Sequence, residues 1–327
     1  MKRTFRSLLL LAGAGVAAAA CSSGAWSQAY PSRPVRVIVS AAAGGPSDVI
    51  GRIMAQKLSE SFGQQFYVEN IPTGAGNVAV GIAAKAAPDG YTILTPTSAV
   101  VVNPSLYAHL PYDTIRDFAP VTLAAASPHV LTVTPSLPVR TVQELIALVK
   151  ASPGKYSYAS PGTGTTGQLA GELFKLSLGL DLTHVPFNGG APAALSTIGG
   201  HTPIMFSALP TAAAYIKDGT LRALAVTSGK RFAEFPEVPT LAEAGVGGQE
   251  SEFIQCVLVP AGTPKEIIDK LYREIARMLA LPDVKERLAA IGYTPIANTP
   301  DEFAAEIKSE VARWGKLIGD AKIPKIE

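Results

Sequence analysis

The spacing with the clearest chemical meaning is that of the glycines in SPGTGTTGQLAG, residues 160–171. They follow the G-x-G-x-x-G pattern of a dinucleotide-binding turn between a strand and a helix, as Gly162, Gly164 and Gly167. Such a site also needs an acidic residue at the end of the next strand, where it holds the ribose hydroxyls. The next strand-like segment, LTHVPF, is followed by Asn188, and Asp181 precedes it. The sequence therefore argues against a dinucleotide, and no cofactor is expected.

The same loop has the groups that bind an anion. Free backbone N–H groups at a helix N-terminus attract negative charge, and glycines let a ligand approach the backbone closely. Thr163, Thr165 and Thr166 add hydroxyl donors that carry no charge. One interpretation is a cradle for a carboxylate or phosphate, and the other is a structural turn with a threonine as the helix N-cap.

A second loop of this kind is SAAAGGPSD, residues 40–48, between the first predicted strand and the first predicted helix. After its two glycines, the helix is expected to begin with Pro46, Ser47 and Asp48. Asp48 either stabilises the helix dipole or orients a water molecule or a ligand donor group. If two such helix N-termini faced each other, a small organic acid with a carboxylate at each end would bridge them.

The sequence contains no catalytic or metal-binding constellation. The G-x-S-x-G, HExxH and CxxC patterns are absent. Four scattered histidines are interpreted as structural or surface residues, namely His109, His129, His184 and His201. Cys256, in the apolar segment FIQCVLV, is predicted to be a buried strand residue. We expect a binding protein rather than an enzyme.

Strand-like and helix-like segments alternate along the chain, which is typical of an α/β fold with mostly parallel strands. Two such series are separated by long extended connections near residues 120–130 and 250–260. A chain arranged in this way enters a second domain and returns from it. We therefore predict two lobes that close on a ligand about a hinge. Lobe 1 would comprise residues 30–125 and 254–327, and lobe 2 residues 126–253.

Local signals place several helix boundaries. A helix is predicted from Pro46 to Phe62, ended by Gly63. Capping boxes predict three further helix starts, at Thr141, Thr263 and Thr299. The proline-rich segment NPSLYAHLPYD, residues 103–113, is predicted to be irregular.

Residues 1–29 resemble an export signal, because three basic residues precede an apolar run too short to span a bilayer. Cleavage after Ala29 is favoured; the alternative is lipidation of Cys21 in a lipobox that opens with alanine instead of leucine. The chain has 28 Lys and Arg against 26 Asp and Glu, and loss of the signal leaves 25 against 26. Near-neutral charge without a basic run argues against binding to nucleic acid, and against binding to a membrane surface through a polybasic patch.

An ordered set of short segments resembles the Bug family, the periplasmic solute-binding proteins of tripartite tricarboxylate transporters. The set covers residues 30 to about 318 and comprises YPSRPVRVIV (30–39), GG-x-S-D (44–48), VEN-x-P-x-GAGN (68–77), PDGYT (88–92), NPSLY…LPYD (103–113), SPGTGTTG (160–167), THVPF-x-GG (183–190), LRALAVTS…R (221–231), VPTLAEAG (238–245), PAGTP (260–264) and F…E…RW (303–314). The resemblance implies a two-lobed α/β periplasmic binding protein (Venus flytrap) with mixed sheets flanked by helices and a ligand in the cleft between the lobes.

Carried over by position, the resemblance also implies the residues of the ligand site. They are Ala43, Gly44, Gly45, Ser47, Asp48, Thr97, Ser98, Ser160, Thr163, Gly164, Thr165 and Thr166, with Phe187, Asn188 and Ser207 as lesser candidates. In the family, carboxylates are held by backbone amides, hydroxyls and ordered water. This chain departs from the family pattern at three places: Gln168 stands where many relatives have His, Phe187-Asn188 where they have Tyr-Lys, and Ala41-Ala42-Ala43 where they commonly have Pro or Phe.

We expect a monomeric periplasmic protein that captures a small carboxylate, dicarboxylic or aromatic. It would deliver this ligand to the membrane subunits of a tripartite tricarboxylate transporter. Neither a nucleic acid partner nor a metal is expected. Two alternatives stay open: a secreted α/β enzyme acting on an organic acid or ester, and a sensor subunit that presents its ligand to a signalling partner.

Overall fold

The computed structural model describes residues 30–73, 76–320 and 322–327. The predicted export signal, with Cys21, therefore lies outside the described residues. Contacts divide the chain into Met1–Ser32 and Arg33–Glu327, and the helices and strands lie in the second unit. Within the described residues, no helix is long and apolar enough to cross a membrane.

Helices and strands alternate as the sequence predicts. In chain order they are β1 (Val35–Val39), α1 (Pro46–Phe62), β2 (Phe66–Asn70), α2 (Asn77–Ala84), β3 (Thr92–Thr95), α3 (Ala99–Leu106), β4 (Phe118–Val133), α4 (Val142–Ala151), β5 (Tyr156–Ser160), α5 (Thr166–Leu178), β6 (Leu182–Pro186), α6 (Gly190–Ile198), β7 (Ile204–Ala208), α7 (Leu209–Lys217), β8 (Arg222–Val226), β9 (Glu252–Pro260), α8 (Lys265–Ala280), α9 (Pro282–Ala290), β10 (Thr294–Pro295) and α10 (Pro300–Asp320).

The strands form a mixed sheet with two parallel groups. In the first group, β1 pairs in parallel with β2 and β3; in the second, β5 pairs in parallel with β6 and β7. The two long strands β4 and β9 are antiparallel to each other and connect the groups. The partner of β4 changes from β9 to β7 between Pro128 and His129. The predicted lobe limits lie close to this change of partner and remain a prediction.

Each parallel group packs against its own apolar core. The first core contains the buried Trp314 of α10 with residues of α2 and α3. The second contains Tyr158, Phe174 and Phe206, all fully buried. Leu169 of α5 is an exception, because it lies between β5 and β6 of the second group in sequence but packs into the first core. Helix α5 therefore contacts both halves of the molecule.

Two local predictions were wrong. Helix α3 includes Pro104, inside the segment predicted to be irregular. A proline cannot donate to the carbonyl four residues earlier, and here the Thr114 hydroxyl donates to that carbonyl, of Val100, at 2.7 Å. Thr263 does not cap α8, since its hydroxyl donates to the Pro260 carbonyl at 2.7 Å and the helix begins without a side-chain cap.

Candidate ligand-binding cleft

A cleft of about 810 Å³ is bounded by loops from both groups of strands. Each loop follows the carboxyl end of a parallel strand, where α/β folds bind their ligands. Lining residues come from six segments, within 40–47 after β1, 72–73 after β2, 97–99 after β3, 161–167 after β5, 186–190 after β6 and 208–211 after β7, although not every residue of these segments lines the cleft. His129 of β4 and Phe253 of β9 also line the cleft.

Five helices place their first residues in the cleft lining. They are α1 through Pro46 and Ser47, α3 through Ala99, α5 through Thr166 and Gly167, α6 through Gly190, and α7 through Thr211. The first N–H groups of a helix have no intrahelical acceptor, and the helix dipole places positive potential there. Among the described lining residues none is Asp, Glu, Lys or Arg. Helix N-termini and hydroxyl groups therefore dominate the electrostatics of the cleft.

The glycine loop between β5 and α5 adopts conformations that only glycine takes without strain. Gly162 and Gly164 have positive φ angles of 148° and 82°. Thr165 is the N-cap of α5, and its hydroxyl oxygen accepts from the Gln168 N–H at 3.3 Å. The same hydroxyl donates to the Gly162 carbonyl at 2.8 Å. Thr165 is therefore both the N-cap of α5 and a residue of the cleft lining.

The third glycine of the motif is required by packing. A Cβ atom on Gly167 would lie 2.8 Å from the Phe206 carbonyl oxygen and 2.9 Å from Pro161 Cδ. Glycine therefore lets the first turn of α5 lie directly against β7, with its N–H groups at the cleft surface.

A partly buried polar network holds the glycine loop from behind. Gln168 Oε1 accepts from the Gly164 N–H at 2.7 Å, so this N–H is not free for a ligand. Gln168 Nε2 lies 3.4 Å from His184 Nδ1, and His184 Nε2 lies 2.7 Å from the Ser160 hydroxyl. Burial lowers the pKa of His184 below its ordinary value. The structural interpretation of His184 agrees with this position, and Ser160 supports the loop without lining the cleft.

Asp48 supports the first loop in the same way. Its buried carboxylate accepts from the Gly44 N–H at 2.8 Å, Arg52 Nε at 2.9 Å and Asn70 Nδ2 at 2.9 Å. Burial alone would raise the pKa of Asp48, but these three hydrogen bonds and the Arg52 charge hold that pKa below its ordinary value. Asp48 does not line the cleft, and its partners are protein groups.

Nine of the fifteen predicted site residues line the cleft, namely Gly45, Ser47, Thr97, Thr163, Gly164, Thr165, Thr166, Phe187 and Asn188. The other six lie outside the lining, namely Ala43, Gly44, Asp48, Ser98, Ser160 and Ser207. Ser98 and Ser207 are buried and bond to the backbone: Ser98 Oγ accepts from the Ile254 N–H at 2.8 Å, and Ser207 Oγ donates to the Ala208 carbonyl at 3.3 Å.

His129, interpreted from the sequence as a structural or surface residue, is one of the lining residues that were not predicted. It is fully buried, and burial lowers its pKa to about 4, so the ring is neutral at physiological pH. Its Nε2 lies 2.8 Å from the Thr166 hydroxyl, and the edge of Phe253 faces the ring. No local signal identified it, because its partners are distant in sequence.

Together the sheet, the crossing strands β4 and β9 and the cleft define an α/β periplasmic binding protein. The chain belongs to the TctC family, described as the tripartite tricarboxylate transporter family receptor, whose model matches residues 50–323. This is a family of binding proteins and not of enzymes. The predicted family and fold class are confirmed, and the enzyme alternative is excluded.

Three relatives illustrate the similarity. BugT of Bordetella pertussis (strain Tohama I) is 35% identical over 317 residues, which cover 95% of this chain and 96% of BugT. Rpa4515 of R. palustris, solved with adipate, is 35% identical with a TM-score of 0.86 and covers 91% of this chain and 100% of its own. MatC (Rpa3494) from Rhodopseudomonas palustris with bound malate is 29% identical with a TM-score of 0.80, covering 88% and 100% respectively.

Proposed function

We propose that the protein is the periplasmic receptor of a tripartite tricarboxylate transporter and that it binds a small carboxylate in the cleft. The observation that carries this proposal is the convergence of five helix N-termini on a cleft whose described lining has no Asp, Glu, Lys or Arg. Positive potential without a cationic side chain suits a carboxylate, which accepts hydrogen bonds from N–H and O–H groups. The proposed ligand contacts include the nine lining residues among those predicted.

Dicarboxylic and aromatic acids fit this cleft best. Its volume of about 810 Å³ lies in the upper part of the range of small-molecule sites. Apolar side chains stand beside the hydroxyls, including Phe187, Phe253 and Pro161. They would pack against the carbon chain or ring of the acid, while helix N-termini of the two strand groups hold its polar ends. Two related structures contain adipate and malate, which supports a dicarboxylate.

Closure of two lobes would retain the ligand, with β4 and β9 as the hinge strands. Helix α5 already contacts the other half of the molecule, because Leu169 packs into the first core. A Cβ atom on Gly164 would lie 3.1 Å from the Tyr107 hydroxyl and 3.4 Å from Leu106 Cδ2. Gly164 thus lies close to the C-terminal end of α3, and in our proposal the lobes reach this approach when they close.

The proposal extends to the partner and compartment. The predicted signal at residues 1–29 would export the protein to the periplasm, where it acts as a monomer. There it delivers the acid to the membrane subunits of the transporter.

A thermal-shift screen of the processed protein tests the function. The ligands are adipate, malate and benzoate, and each is compared with its amide. A ligand at 100 times its Kd stabilises a protein by about 2.7 kcal/mol, so an acid that binds raises the Tm by several degrees. We expect a rise with at least one acid and none with its amide. Equal shifts with acid and amide, or no shift with any acid, would refute carboxylate binding.

A further inference from the structure

His129 joins the cleft surface to the buried chain behind it through its two ring nitrogens. Nε2 lies 2.8 Å from Thr166 Oγ1, and Nδ1 lies 3.3 Å from Ser251 Oγ. Thr166 is the first residue of α5 and lines the cleft, whereas Ser251 is 2% exposed and lies outside the lining. The three polar groups therefore form a line from the interior to the cleft.

The backbone around this line is fixed. The Thr227 hydroxyl oxygen accepts from the His129 N–H at 2.9 Å, and the hydroxyl donates to the Ser251 carbonyl at 2.6 Å. The Ser251 N–H donates to the Thr227 carbonyl at 3.2 Å. The imidazole thus has a defined position at the point where β4 changes partner.

Counting protons decides the direction of the hydrogen bonds. A neutral imidazole has one donor and one acceptor nitrogen, and burial keeps this ring neutral. Among the described residues, the imidazole is the only side-chain hydrogen-bond partner of either hydroxyl. If Nδ1 carried the proton, it would donate to Ser251 Oγ or to the Ser251 carbonyl, and in either case the Ser251 hydroxyl proton would be buried without an acceptor. If Nε2 carries the proton, Ser251 donates to Nδ1, Nε2 donates to Thr166 Oγ1, and the Thr166 proton points into the cleft.

Burying a donor without an acceptor is unfavourable, whereas a donor at the cleft surface bonds to water or ligand. We propose that His129 is held as the Nε2–H tautomer and thereby keeps the Thr166 hydroxyl proton free to be donated to the bound ligand. His129 is then a positioning residue that acts through Thr166. This inference rests on the proposed function for the identity of the acceptor, a carboxylate oxygen.

The consequence is selectivity at one point of the cleft. A hydroxyl free to rotate serves as donor or acceptor, and so tolerates a ligand amide or hydroxyl as well as a carboxylate. With Nε2–H bound to its oxygen, Thr166 offers its proton to the ligand. A carboxylate, which only accepts, can use this proton; in the Nδ1–H tautomer the proton would be donated to Nε2, and only the lone pairs of Thr166 would face the ligand.

The tautomer is measured directly in the ligand-free protein. Long-range ¹H–¹⁵N NMR of histidine-labelled protein distinguishes protonated from unprotonated ring nitrogens, and His129 is assigned through its contact with the Phe253 ring. We expect an unprotonated Nδ1 and a protonated Nε2. The reverse pattern, or an average of the two, overturns the proposal whether or not any acid binds.

Two isosteric variants test the effect on binding. The amide nitrogen of His129→Gln takes the place of Nε2 and still donates to Thr166, whereas that of His129→Asn takes the place of Nδ1. For adipate and malate, we expect His129→Asn to weaken affinity about tenfold and His129→Gln to stay within about threefold of the wild type. Adding His129→Asn to Thr166→Val should cause no further loss.

Equal losses in the two variants, each with a wild-type Tm, would overturn the proposal. Additive losses in the double variant would do the same, because they would show that His129 acts independently of Thr166. If the wild-type protein binds none of adipate, malate and benzoate, the proposed function fails, while the NMR result still decides the tautomer.

Discussion

Replacing Gly167 with alanine tests whether the glycine loop depends on direct packing of α5 against β7. The new Cβ would lie 2.8 Å from the Phe206 carbonyl oxygen, and ordinary contact begins near 3.4 Å. The helix must therefore move by roughly 0.6 Å, and overpacking of this kind costs about 1–3 kcal/mol. Alanine's higher helix propensity offsets about 1 kcal/mol of that cost. We expect a net loss of up to about 2 kcal/mol and a Tm lower by up to a few degrees.

The same displacement should weaken ligand binding, because it moves the first N–H groups of α5 relative to the rest of the cleft. The assays are thermal unfolding followed by circular dichroism and calorimetric titration with the acid found in the screen. Gly319→Ala is the matched control, since Gly319 lies in α10 with no atom within 4 Å of the added Cβ and is exposed. It should be neutral or stabilising by up to about 1 kcal/mol. If Gly167→Ala matches this control in both stability and affinity, α5 is not pressed against the strand and the argument is wrong.

Three further predictions follow from single contacts. Thr166→Val removes a donor at nearly constant shape and should cost about 1–2 kcal/mol of affinity by calorimetry; Thr183→Val, on an exposed strand position, should cost none. Asp48→Asn should lower stability by about 1.5–3 kcal/mol, because it weakens hydrogen bonds to a charged group. Because the folded-state pKa of Asp48 is lowered, its stabilisation is present above the ordinary carboxyl pKa and is lost as the pH falls through the folded value; denaturant unfolding below pH 5 should show a smaller loss in Asp48→Asn than in the wild type. His129 has a folded-state pKa of about 4 against an ordinary value near 6.5, so the unfolded state binds the extra proton between these values. Stability should therefore fall as the pH drops from 6.5 to 4, and His129→Gln should remove that part of the fall.

Helix boundaries were predictable wherever the signal and its partner are neighbours in sequence. Helix α1 begins at Pro46 and ends before Gly63, as predicted, because proline fits the first helical position and Gly63 adopts a left-handed conformation. The Thr299 cap is also confirmed: the Glu302 N–H donates to Thr299 Oγ1 at 3.3 Å, and the Glu302 carboxylate accepts from the Thr299 N–H at 2.8 Å. Helix α3 was missed because the group that satisfies the carbonyl opposite Pro104 belongs to Thr114, in the following loop.

The same distinction applies to the cleft. Glycine and threonine loops at helix N-termini are visible in the sequence, and those loops do line the cleft. The sequence does not show which polar side chains face the cleft. Asp48 and Ser160 could bind a ligand by their chemistry, but in the structure they form hydrogen bonds with the backbone of their own loops. His129, by contrast, lines the cleft although no neighbouring residue indicates it, because its hydrogen-bond partners lie 37 and 122 residues away in sequence. Only the folded arrangement of β4, α5 and the start of β9 brings these groups together.

The positions where the chain departs from the family pattern differ in what they can do to the ligand. Gln168 lies behind the glycine loop and accepts from the Gly164 N–H. A histidine ring nitrogen can also accept a hydrogen bond. A histidine in place of Gln168 would therefore affect the glycine loop rather than contact the ligand. Asn188, by contrast, is exposed at the edge of the cleft lining. A lysine there would add the positive charge that the rest of the described lining lacks. In our proposal, neutral donors therefore bind the anion. Discrimination among acids then depends on the geometry of those donors and on the apolar wall formed by Phe187 and Phe253.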